Sequence, residues 1–370
     1  MIIIFSFLMN ANAASIPIPC GHTAYSWLGN VAQAELEASR AEKAFLCDLN
    51  ERREVAQARC RAAAECASKE ARRVVEGGID VTMIVTTSAT PSNPSLDMIS
   101  YVMRSLCGDE NCPELSSIEK IIVADAPNVM DKDPSRECEY KRNRLTTKQA
   151  VDAYDKYKAN LSAAIAKHKD DPESPFYRTS FLQLPRRHGF ALAVREALKQ
   201  VRTKYVMVVQ HDRDAGRPFR VTPILEAMER DESVNYVMLR TKSVENYVER
   251  TRSRYHVNVE PWIKSFSDLN FHLMPLIFFY DSTHIARCDY YRRVVFGKIT
   301  TPRGSFKLRT GDFIEDTFGQ VLRNTIKAQG MDAHGHYGTY IYMDDHPDPI
   351  VHHVHGRRAD TRMKKILNKK

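Results

Sequence analysis

Short, continuous apolar runs punctuate the middle of the chain. Val81–Thr86, Ile121–Ala124, Tyr205–Val209 and Val234–Leu239 read as strands buried on both faces, and Phe181–Leu184 as a weaker one. Between them, Leu96–Leu106, Gly189–Val201 and Thr222–Arg230 carry apolar residues at helical spacing. Strands alternating with helices predict an α/β domain, a mostly parallel sheet covered on both sides. Residues 127–175 are polar, with one helical stretch at Thr147–His168, and read as an insertion. After Thr241 the order loosens. Met274–Tyr280 is expected as a strand, His284–Val295 as a helix, Asp312–Ala328 as an amphipathic helix stopped by Gly330, and Tyr340–Met343 and Ile350–Val354 as short strands.

The flanks differ from this core. Val31–Val75 is rich in Ala, Glu, Arg and Lys and holds no Gly or Pro, so a long helix is expected. Its mostly alanine stripe repeats at about 3.6 residues, the period of a straight helix. The division is therefore a leader over 1–30, a helical stem over 31–78, a catalytic-type domain over 79–358 and a basic tail over 359–370. Ile2–Met9 followed by Ala11-Asn12-Ala13 resembles a signal peptide without a basic start. A secretory (Golgi or ER lumen) location, with membrane association through the N-terminus, is the expectation. A cytoplasmic location stays open.

Composition adds little about fold. The 370 residues carry a net charge of +8, which favours anionic partners. Eight cysteines form no C-x-x-C pair, which argues against a cysteine zinc site. Cys107 and Cys112 flank a short loop and could pair, or could be free buried thiols. There is no Walker A or G-x-G-x-x-G fingerprint.

Candidate chemistry gathers at strand ends, where ligands bind in such sheets. The strand Tyr205–Val209 runs into Gln210-His211-Asp212-Arg213-Asp214. Carboxylates two residues apart can hold a hard cation, Mn2+ or Mg2+, or can be a solvated turn. Asp125 closes another apolar run and is either a turn residue or an acceptor for a nucleotide. Asp312 and Glu315 fit a capping box, which leaves Asp316 as a candidate general base. Six of thirteen histidines, including His352, His353 and His355, fall within 334–355. They could add a ligand to that metal, build a separate zinc site with Asp344, Asp345 or Asp348, or be scattered on the surface.

In this order the segments resemble glycosyltransferases of the GT-A fold, family-2-like. "VTMIVTTSATPSNPSLDMISYVMRSL", "KIIVADAP", "HGFALAVREALKQVRTKYVMVVQHDRD", "FIEDTFGQ" and "PIVHHVHGR" are similar to that family's successive motifs. The resemblance implies a nucleotide-sugar donor, a glycan or other hydroxyl acceptor, and no nucleic-acid partner. It implies nucleotide contacts at Thr87, Ser88, Asp125 and Asp212, and Mn2+ or Mg2+ held by Asp212, Asp214, His353 and His355. It also implies inversion with Asp316 as base. Arg186, Arg187 and His188 are phosphate candidates, and Trp262, Tyr280 and Asp281 acceptor candidates. The His211-Asp212 start leaves open which aspartate meets the metal. A nucleotidyltransferase ranks lower, because "TTSATPSNPS" lacks the glycine and lysine of its basic loop. A binding module with a degenerate site is the third alternative. The oligomeric state is left open.

Overall fold

The computed structural model describes residues 79–108, 110–128, 148–297, 299–301 and 304–354. The leader, the stem, the basic tail and His355 lie outside the described residues.

Nine strands form one sheet. In chain order they are β1 Val81–Thr87, β2 Glu119–Ala124, β3 Thr179–Gln183, β4 Tyr205–Gln210, β6 Tyr236–Met238, β7 Lys264–Phe266, β8 Phe271–Pro275, β9 His284–Arg287 and β12 Thr339–Met343. They lie in the order β3-β2-β1-β4-β9-β6-β12-β8-β7. The pairings β3-β2-β1-β4 are all parallel, as is β6-β12, while β8 and β9 run against their neighbours. Two small ribbons complete the strands. β5 Arg213–Ala215 pairs with β13 Val351–His353, and β10 Ile299–Thr301 pairs with β11 Gly304–Phe306.

Strand residues alternate between two cores, as a period of two requires. Met83, Val85, Ile122, Met207 and Val209 pack beneath helices α1 (Asp97–Cys107), α2 (Lys148–His168) and α4 (Thr222–Arg230). Ile84, Ile121, Val123, Val206 and Val208 pack on the other face against α3 (Phe190–Leu198), α5 (Tyr247–Tyr255) and α6 (Phe318–Gln329). Val206–Val209 and Ile84–Val85 have no exposed surface. Each such side chain contributes about 1.5–3 kcal/mol by burial. The continuous apolar runs are thus explained: both faces of these strands are covered.

Several expectations are corrected. The "insertion" helix is α2, and it covers the sheet through Tyr154, Tyr157, Leu161 and Ile165. Met274–Tyr280 is not one strand. β8 stops at Pro275, and Leu276, Ile277 and Phe279 are core residues of a loop. His284–Arg287 is a strand rather than a helix start, clamped between β4 and β6. Helix α6 begins at Phe318, not Asp312. The capping-box reading therefore fails: Asp312 accepts from the Arg309 amide instead (2.7 Å). Cys107 and Cys112 are free and buried, and burial raises the Cys107 thiol to about 11.

Candidate active site

The order β3-β2-β1-β4 turns the chain from one side of β1 to the other, so a crevice opens at the carboxyl ends of β1 and β4. Asp125 and the Gln210–Asp214 segment stand at that end. The His211 amide donates to the Thr86 carbonyl (3.0 Å), which prolongs the β1–β4 ladder to the brink of Asp212.

Asp125 closes β2. Its two carboxylate oxygens accept from the amides of His188 (2.7 Å) and Gly189 (2.8 Å), just ahead of α3. A carboxylate there satisfies donors that a helix start leaves open and complements its dipole. Gly189 is required: its φ is +78°, and a Cβ would stand 2.5 Å from the Cα of Gly311, itself at φ +88°. The contact ties the start of α3 to the segment that leads to Asp316. Thr87 is buried, and its hydroxyl meets the Tyr157 hydroxyl (3.0 Å) beneath α2, so it faces the core; Ser88 beside it is exposed.

The two aspartates of the D-x-D segment part company. β5 pairs with β13 so that His353 lies opposite Arg213, and this brings the His353 Nε2 to 2.8 Å from Asp212 Oδ2. Asp214 turns the other way, buried under α1, where the Tyr101 hydroxyl donates to its Oδ2 (3.0 Å). The ribbon is anchored by Arg217, whose guanidinium makes a bidentate pair with Asp344 (2.7 and 2.9 Å) and donates to the Asp348 carbonyl. Gly216 leaves room for the His352 ring, which would lie 2.0 Å from any Cβ there.

Burial alone would raise the Asp212 carboxyl. The His353 hydrogen bond and the charges of His211, His353 and Arg213 outweigh it and hold the group down at about 2. Its Oδ1 is buried and meets no protein donor. An ionised carboxylate with an unspent oxygen, beside an imidazole, suits a Mg2+ or Mn2+ ion that takes its other ligands from phosphate and water. Among the described residues no three His, Cys, Asp or Glu side chains converge on one point. Asp214 Oδ1, like Asp212 Oδ1, is buried without a hydrogen-bond donor, while its Oδ2 is taken by Tyr101. The histidines of 334–354 do not cluster either. The buried His334 bonds the Thr339 carbonyl (2.8 Å), and His346 accepts from the Asp348 amide (3.0 Å).

A second acidic group, around the acceptor candidate Asp281, is tied to the end of β4. Asp281 follows the apolar loop after β8 and is fully buried. The Glu315 amide donates to Asp281 Oδ2 (3.2 Å), and the Asp281 amide reaches back towards Glu315 Oε2 (3.4 Å). Gln210 Nε2 donates to the Asp281 carbonyl (2.5 Å), linking the end of β4 to the same turn. Burial, then the nearby Glu315 and Asp316 charges, push the Asp281 carboxyl well above the usual carboxylate range, and Glu315 is raised as well, chiefly by burial. Asp316 lies in this 314–317 turn with an exposed side chain. Tyr280 is half-buried beside Arg250, and Trp262 is the exposed large apolar side chain of the described residues.

No family model and no curated protein sequence matches the chain significantly. Parts of the chain are similar to solved structures. A mannosyltransferase from Pyrobaculum calidifontis, in complex with GDP-Man and Mn2+, is 13% identical with a TM-score of 0.34, over 67% of this chain and 58% of its own. TarS 1–349 of S. aureus with UDP-GlcNAc is 12% identical at 0.34, over 77% and 61%. Glucosyl-3-phosphoglycerate synthase from Mycobacterium tuberculosis, with Mg2+ and UDP, is 11% identical at 0.33, over 74% and 72%. The chain spans 58% of the mannosyltransferase and 36% of a longer TarS structure.

Proposed function

We propose that the chain is a nucleotide-sugar-dependent glycosyltransferase of the GT-A type, inverting and dependent on a divalent cation. The observation that carries this reading is the Asp212–His353 pair at the β1/β4 crevice: a carboxylate kept ionised, with one oxygen unspent, where a diphosphate would lie. The nucleoside would rest near Asp125 and Ser88. Both Asp125 oxygens already accept one amide each, and each keeps a further lone pair for a base or ribose donor. Asp212 and His353 would hold Mn2+ or Mg2+, which when bound stabilises the charge of a departing diphosphate. Asp214 would support this by fixing β5 against α1 rather than by ligation. Asp316 would accept the proton of an acceptor hydroxyl as it attacks the anomeric carbon. Its turn is held from below by the Asp281–Glu315 hydrogen bonds.

Calorimetric titration of UDP-, GDP- and CMP-sugars with Mn2+ tests the reading. One of them should bind saturably, and EDTA should abolish binding. Asp316→Asn should keep that binding and slow transfer about 10²- to 10⁴-fold, the usual worth of a general base. If none of the three donors binds, the reading fails. If Asp316→Asn transfers at full rate, the base assignment fails while the donor site stands.

A further inference from the structure

A cationic cleft of about 570 Å³ lies beside α3. One wall is formed by Leu192, Arg195 and Glu196 of that helix and by Lys199 at its end, with Arg186, Arg187 and His188 ahead of its start. The other wall is Lys307–Thr310, including Lys307 and Arg309. Glu196 is the single carboxylate among the lining residues, and it is spent on Lys199 (2.5 Å) and Arg195 (3.4 Å). The charged ends of Arg186, Arg187, Lys307 and Arg309 make no ion pair among the described residues, the one carboxylate contact being that of the Arg309 amide with Asp312. The arrangement is held in place. Gly311, at φ +88°, donates its amide to the His188 carbonyl (2.8 Å), and the Arg187 guanidinium lies over its Cα side.

We propose that this cleft binds an anionic stretch of the acceptor: a linear glycan bearing sulfate, phosphate or carboxylate groups. The inference rests on the glycosyltransferase reading and names the acceptor class for it. Two observations favour a chain over a single anion. The cations that meet no carboxylate stand on two separate segments, Arg186 and Arg187 on one wall and Lys307 and Arg309 on the other, so the positive charge is spread across a groove. The upper end of the groove, His188, adjoins Asp125 and hence the crevice (Nδ1 to Oδ1, 3.9 Å). Charges held apart in a fixed groove with few counter-charges raise the local concentration of an anionic partner.

The test uses the full chain and a fluorescent, size-defined sulfated hexasaccharide of the heparin type as probe. Binding is read by anisotropy at low and moderate salt. The wild type should bind, and affinity should fall steeply with salt. Lys307→Glu with Arg309→Glu should weaken binding at least tenfold. A control with the same change in net charge, Lys169→Glu with Lys327→Glu at exposed sites away from the cleft, should not. Mn2+-dependent nucleotide-sugar binding, measured on the same preparations, should be unchanged by either pair. A failure here is thereby separable from a failure of the donor reading. The proposal is overturned by absent binding, by equal loss in the control, or by a single-stranded oligonucleotide of equal charge binding as tightly as the hexasaccharide. Competition by inorganic phosphate as strong as by the unlabelled hexasaccharide also overturns it, since it would make the cleft a single-anion site.

Discussion

Two acidic centres flank the end of β4, and they behave in opposite ways. At one, Asp212 is bonded to His353 and neighboured by His211 and Arg213, and its carboxyl is held down at about 2 although it is largely buried. At the other, Asp281 is equally hidden but is surrounded by Glu315 and Asp316, and its carboxyl is driven well above the usual range. Burial is common to both. The sign of the neighbouring charge decides the outcome. The first centre is built to stay charged; the second is built to hold a turn in place by sharing hydrogen bonds while carrying as little charge as it can.

The largest effect expected from disturbing this contrast is at Asp212. Asp212→Asn keeps the shape and removes the charge, so transfer should fall roughly 1,000-fold, as loss of several kcal/mol of charge stabilisation implies. Manganese titration of nucleotide-sugar binding measures the same loss without turnover. Asp214→Asn should cost metal-dependent binding far less, because Asp214 Oδ2 holds Tyr101 whereas Asp212 is the carboxylate that His353 meets. Equal losses at both positions would mean that Asp214 swings round to the metal. His353→Ala should come next, lowering metal-dependent affinity about 10- to 100-fold. Its readout is the Mn2+ concentration needed for half-maximal binding. An unchanged value would reduce His353 to a spectator.

How much of this could be read from the chain follows from which contacts are local. β1, β2 and β4 announce themselves as apolar runs because each is covered on both faces. Asp212 and Asp125 are legible because they end such runs. The partner of Asp212 depends on the β5–β13 ribbon, which joins distant segments through the Arg217–Asp344 pair, and no local pattern encodes it. The separation of Asp212 from Asp214 depends on Tyr101, again far away in sequence. The start of α6 was misplaced for a related reason. Asp312 and Glu315 have the spacing of a capping box, but Glu315 is drawn instead to Asp281, and the turn it forms delays the helix to Phe318. Similarly, Leu276–Phe279 is apolar like a strand, yet serves the core as a loop because β12 has already taken β8 as partner up to Pro275.

The smallest expected effect sharpens the second centre. Asp281 has a folded-state carboxyl raised above its unfolded value, near 3.9. Its contribution to stability is therefore complete below that pH and is lost as the pH climbs towards the folded value, because the unfolded chain gives up its proton first. Asp281→Asn removes the ionisation but keeps an oxygen that can accept the Glu315 amide. At pH 4 the variant and the wild type should unfold at nearly the same urea concentration. As the pH rises to 8 the variant should become the more stable by roughly 1–3 kcal/mol, the scale of a buried polar group left short of partners. A gap that stays constant from pH 4 to pH 8 would mean that Asp281 titrates alike in both states. A gap that opens towards acid would mean that its carboxylate is stabilised as Asp212 is, and the contrast between the two centres would collapse. Activity separates the roles further. If the turn needs only the hydrogen bond, Asp281→Asn transfers at close to the wild-type rate, while Asp281→Leu, which cannot accept the Glu315 amide, loosens Asp316 and lowers the rate without shifting the Mn2+ requirement.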